Sequence, residues 1–137
     1  MQFAGINYLA VVAAAAGGFF FGFAWYTVLG RQWMAATGKS EDTLKQGGMA
    51  KPLILSAICQ LIMAYVLAGV LGHLGAAQMT VRGGLITGAF VWVGFVATSV
   101  AVNYAWQRAR PMLTMIDGAH WLGVLLVQGA ILGAIGV

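Results

Sequence analysis

Four stretches of this chain have no polar break long enough to end a helix. Residues 1–30, 52–81 and 83–107 hold no charged side chain, and 111–137 holds only Asp117. Each exceeds the roughly 20 residues that carry a helix across about 30 Å of hydrocarbon. The pattern predicts transmembrane helices near 5–29, 53–74, 84–105 and 112–135. Barrel strands would alternate apolar and polar positions, and these runs do not. The expected fold is all-α: an integral membrane four-helix bundle of two hairpins, with 1–137 as a single domain. Gly22-Phe23 precedes Lys51-Pro52 much as Gly94-Phe95 precedes Arg110-Pro111, which suggests a weak internal duplication.

The one substantial polar stretch is the loop 30–52. There Ser40 suits a cap, Glu41 and Asp42 a first turn, Lys45 a last turn and Gly47 a stop. These residues predict a short surface helix between helices one and two.

Composition agrees with the pattern. The chain is 61% hydrophobic and 7% charged, whereas a soluble domain carries about 25% charged residues. The net charge of +4 does not indicate nucleic acid, because the basic residues flank helices. Arg31, Lys39, Lys45 and Lys51 lie in the first loop and Arg108 and Arg110 in the third, against Arg82 alone on the other side. The positive-inside rule then puts loops 30–52 and 106–111 in the cytoplasm and both termini outside, as in a multi-pass protein of a bacterial cytoplasmic (inner) membrane. Met1-Gln2-Phe3 lacks the positive start of a cleaved signal, and Trp25-Tyr26 sits where small residues would be needed. Cys59 is single, which excludes an internal disulfide.

Small residues recur four apart: Ala14, Gly18 and Gly22 on helix one, Ala64, Ala68 and Gly72 on helix two, Gly129 and Gly133 on helix four. Such stripes let helix backbones approach closely, within the bundle or between subunits. Trp25, Tyr26, Trp33, Lys51 and Arg110 cluster at the cytoplasmic end as expected interface anchors.

Asp117 and His120 share a helical face that Val124 and Gln128 extend. Gln60 and Asn103, too costly to leave unpaired in lipid, are expected to turn into the bundle and complete a candidate polar face. Asp117 lies about 9 Å along its helix from Pro111 at 1.5 Å per residue. Thr114-Met115-Ile116-Asp117 is a variant capping box, so Asp117 is expected to cap a late-starting helix four with Lys51 or Arg110 as its partner. The alternative is proton or ligand handling with His120. His73 and His120 differ by about 18 Å in expected depth, too far for a shared metal or haem, so no metal and no cofactor is expected.

With these residues in view, the chain resembles the bacterial membrane-protein family called domain of unknown function 1761, from about Asn7 to Gly133. The carriers are Gly22-Phe23-Ala24-Trp25-Tyr26, Trp33, Met49-Ala50-Lys51-Pro52, Gly94-Phe95-Val96-Ala97-Thr98, Asn103-Tyr104, Ile116-Asp117 and Gly129-Ala130-Ile131-Leu132-Gly133. Trp106-Gln107-Arg108-Ala109 replaces an acidic-glycine turn, and His120 stands near a more usual tyrosine. The resemblance implies a four-helix inner-membrane protein and supplies no activity.

No serine-histidine-carboxylate set, paired intramembrane carboxylates or phosphate loop is present, so no enzyme and no catalytic residue is expected. The expected role is a non-enzymatic membrane protein that self-associates as a homo-oligomer or packs as an accessory subunit on a larger membrane complex. Its surroundings are the lipid bilayer. The alternatives are a small transporter or proton-coupled permease using Asp117 and His120, and a lipid- or quinone-binding protein with an apolar groove near Trp25, Tyr26 and Asn103.

Overall fold

The computed structural model describes residues 5–137; the Met1-Gln2-Phe3 start used in the signal argument lies outside them. Four helices are long and apolar enough to cross a membrane: Tyr8–Thr37 (α1), Ala50–Leu74 (α3), Val81–Trp106 and Pro111–Ile135 (α6). A five-residue helix, Glu41–Lys45 (α2), lies between the first two. The third span is composite, with Val81–Val91 (α4), a π-helical segment over Trp92–Ala97, and Thr98–Trp106 (α5).

The caps follow local chemistry. Asn7 accepts from the Ala10 N–H, Ser40 from the Thr43 N–H and Thr80 from the Gly83 N–H, each satisfying a first-turn donor. Pro111 opens α6 in the first turn, where its missing N–H costs nothing. On α2, Glu41 pairs with Lys45 one turn on, and the ammonium holds the fully exposed Glu41 carboxyl below its ordinary range.

Helix α1 outruns its predicted end at residue 29. Gly30 is tolerated within a helix at about 1 kcal/mol, and Arg31 through Thr37 continue the coil. The stop comes at Gly38, whose φ of 69° lets its N–H return to the Met34 carbonyl. The extension puts Trp33 on the same rigid helix as Tyr26. Seven residues are about two turns, so both rings share one face.

Helix α6 is the hub, with α1 on one side, the third span on the other and α3 touching it less extensively. Against α4 the backbones nearly meet. A Cβ on Gly84 would strike the Gly129 carbonyl, one on Gly88 the Leu125 carbonyl, and one on Gly133 the Thr80 carbonyl. Ala10, Ala14, Ala64 and Ala68 are fully buried between α1 and α3, and Gly72 is half-buried at the end of that stripe. The large side chains Phe20, Phe23, Phe90, Phe95 and Trp106 point outward, an arrangement suited to lipid rather than water.

Candidate functional site: a carboxylate held by aromatic donors

Asp117 is 8% exposed and lies seven residues into α6. Tyr26 Oη donates to Oδ1 at 2.7 Å and Trp33 Nε1 to the same oxygen at 3.1 Å. Tyr104 Oη donates to Oδ2 at 2.7 Å. Two more indoles fix the backbone on either side: Trp25 Nε1 donates to the Ile116 carbonyl at 3.2 Å and Trp92 Nε1 to the Gly118 carbonyl at 2.8 Å. Three neutral donors thus replace the water an interior carboxylate would lose.

This differs from the capping expectation in two ways. Helix α6 starts at Pro111, so Thr114 and Asp117 both lie inside it and the backbone donors there are already used. Arg110 is not the partner either; it donates to the Ala35 carbonyl near the end of α1. Lys51, the other expected partner, makes no ion pair with Asp117, which has no basic partner among the described residues. Trp25, Tyr26 and Trp33, expected at the headgroups, turn inward because a carboxylate in this bundle needs donors more than lipid headgroups need rings.

The π segment explains a second difference. In an unbroken α-helix, Asn103 follows Trp92 by eleven residues, about three turns at 3.6 per turn, and would share its inward face. The wider π turns absorb about one extra residue. Tyr104 therefore takes the inward place, and Asn103 is exposed on the outside of the bundle. Neither Tyr104 nor Trp92 was singled out for chemistry from the sequence. The available signal was a lone intramembrane acid that must find donors, combined with aromatic residues near the same depth.

His120 is buried beside the cage without bonding to Asp117. Its ring centroid lies 4.8 Å from that of Tyr26 and 4.7 Å from that of Trp121, and a Cβ on Gly22 would come within 2.7 Å of Nε2. Its Nδ1 is buried with no hydrogen-bond partner among the described residues. Two turns farther along α6, Gln128 is completely buried; its Nε2 donates to Gln60 Oε1 at 2.6 Å and to the Gln60 carbonyl at 3.2 Å. Its Oε1 is likewise unpartnered. Gly18 makes room for this pair, since a Cβ there would lie 2.5 Å from Gln60 Oε1. Of the five predicted polar-face residues, four are buried, Asp117 and His120 against α1 and Gln128 against Gln60 of α3, and Asn103 is exposed.

On the other side of α6 a groove of about 330 Å³ separates it from the third span. Trp92, Ala97 and Val100 form one wall, and Thr114, Gly118, Ala119 and Leu122 the other, so the lining is almost wholly apolar. The groove exists because the two helices touch backbone to backbone near Gly84 and Gly129, while α5 contributes no buried residue. Trp92 and Tyr104 bridge the gap to α6 through their bonds to Gly118 and Asp117.

Four long apolar helices around a buried polar interior define a polytopic membrane protein. The chain belongs to the family described as protein of unknown function DUF1761, whose model matches residues 9–133. Neither the curated proteins nor the solved structures hold a match. Of the residues that carried the resemblance, Trp25, Tyr26, Trp33, Tyr104 and Ile116-Asp117 are brought together around one carboxylate, while the others lie elsewhere in the fold.

Proposed function

We propose that this protein is a non-enzymatic component of the bacterial cytoplasmic membrane that binds the hydrocarbon chain of a membrane lipid between its third span and α6. The observation that carries this is the apolar groove of about 330 Å³ beside Gly118 and Ala119. Ligand sites are concave and mostly apolar, and this one opens on the helix face that packs least within the chain. The groove lies on the opposite side of α6 from the α1 aromatics where sequence reasoning would have looked. Self-association through glycine stripes loses support, since Gly18, Gly22, Gly84, Gly88, Gly129 and Gly133 are spent on contacts inside the chain. Filling the groove with Ala119→Phe is expected to abolish co-purification of a tightly held lipid, read by native mass spectrometry, while the melting temperature in detergent stays within a few degrees. Retention of the same lipid by the filled variant would refute the proposal.

A second function, a proton-coupled permease, is favoured by the two unpartnered buried atoms, His120 Nδ1 and Gln128 Oε1. Buried polar groups usually find partners, so such atoms mark places where water or a proton carrier could sit. Its signature would be a proton flux in liposomes that Asp117→Asn abolishes.

A further inference from the structure

We propose that the chain held in the groove is an acyl chain of a glycerolipid, whose ester carbonyl accepts a hydrogen bond from the Thr114 hydroxyl. This rests on the groove reading above and names the group that the groove recognises. Hydroxyls in membrane helices commonly bond the carbonyl four residues back. Thr27 does so with Phe23, Ser56 with Pro52, Thr98 with Gly94 and Ser99 with Phe95. The equivalent acceptor for Thr114 is Arg110, whose carbonyl already takes the Leu113 N–H at 2.9 Å and the Thr114 N–H at 3.5 Å. Both lone pairs of that oxygen are thus engaged. The Thr114 hydroxyl makes no hydrogen bond among the described residues, and Thr114 forms part of the groove wall. A hydroxyl left unpaired against hydrocarbon is costly, so a ligand that accepts from it is favoured.

The rest of the lining decides what that ligand is. No lining side chain is charged, so neither a phosphate nor a free carboxylate finds a counter-ion there. The Trp92 indole, the other N–H or O–H donor among the lining side chains, is spent on the Gly118 carbonyl. A quinone ring, with a carbonyl at each end, would therefore find a donor for one end only. The volume of about 330 Å³ lies near the lower end of the roughly 300–1,000 Å³ usual for ligand pockets, which suits a single chain. Thr114 stands about 4.5 Å along α6 from Pro111, and Leu122 lies about 12 Å deeper. Arg110 keeps the start of α6 at the headgroups, so Thr114 sits where the polar region gives way to hydrocarbon. Glycerolipid esters mark the same boundary, because their carbonyls join the polar glycerol to the chains. A chain anchored at Thr114 then runs past Gly118 and Ala119 to Leu122.

The experiment measures retention of two phosphatidylcholines by the purified full chain, by native mass spectrometry after equilibration with mixed micelles. One carries its chains through esters; the other carries the same chains through ethers and has no carbonyl. The natural protein is expected to favour the ester lipid by about threefold or more, the effect of an average hydrogen bond between membrane helices. Thr114→Val keeps the side-chain shape without the hydroxyl. It is expected to bring the ratio to near unity, with retention of the ether lipid and the melting temperature unchanged. Thr114→Ser keeps the hydroxyl and is expected to keep the preference. Equal retention of the two lipids by the natural chain, or an undiminished preference in Thr114→Val, overturns the ester assignment and leaves the groove standing. Displacement of the ester lipid by an equal concentration of long-chain quinone overturns the ester assignment as well. Retention of neither lipid, or retention of both at natural levels by Ala119→Phe, overturns the groove and the ester contact together.

Discussion

Asp117 divides its two oxygens unequally among three donors, which sets the order of the expected mutational effects. Oδ1 is shared by Tyr26 and Trp33, while Oδ2 has Tyr104 alone. Tyr104→Phe leaves one carboxylate oxygen with no protein partner, and hydrogen bonds to charged groups contribute about 1.5–3 kcal/mol. Trp33→Phe leaves Oδ1 with Tyr26 and is expected to cost about 1 kcal/mol or less, in the range typical of bonds between membrane helices. Thermal unfolding in detergent checks the order; a larger loss from Trp33→Phe would contradict the geometry. Pairing Tyr104→Phe with Asp117→Asn in a double-mutant cycle isolates the bond from its surroundings. That an aspartate of α6 would need partners was legible in its position alone. Which residues supply them was not, because all three come from helices 13 to 91 residues away in sequence.

At the scale of the helices, length and type were readable and facing was less so. Runs without charge marked the spans to within a few residues, except where α1 continued through Arg31 to its stop at Gly38. The small-residue stripes of α1, α3 and α6 were read as spacings, whereas Gly84 and Gly88, also four apart, were passed over, although Gly84 sits tightest of all against the α6 backbone. Two glycines in the third span separate the roles. Gly84→Leu forces a side chain into the Gly129 backbone and is expected to cost about 3 kcal/mol or more. Gly94→Leu meets nothing within 4 Å and is expected to be mild. On α1, Gly18→Leu should disrupt the Gln60–Gln128 pair, with the outward-facing Val12→Leu as its control. Melting temperatures of the four variants decide this, and comparable losses at Gly84 and Gly94 would mean that the α4–α6 crossing is looser than described.

For the whole molecule, charge asymmetry carries the orientation. Cysteines at Lys45 and Ala109 are expected to react with an impermeant thiol reagent from the cytoplasmic side only, and one at Ala77 from the outside only, after Cys59 has been replaced. Labelling of position 45 from outside would reverse the proposed topology. With the proposed orientation, the basic end meets the anionic cytoplasmic leaflet, where each nearby Lys or Arg gains about 1 kcal/mol.

The sequence by itself determined that this is an all-helical chain with four spans and a single acid among them. Hydrophobic length, charge placement and capping residues act within a few positions of one another, so they can be read without knowing the fold. The tertiary structure decided which side of α6 became polar and which became an open groove. That outcome depends on where two glycine-lined backbones touch, and on one π segment that exchanges Asn103 for Tyr104 on the inner face. Both are matters of helix crossing and rotation, in which a single extra residue per turn swings every later side chain by about a quarter of the circumference.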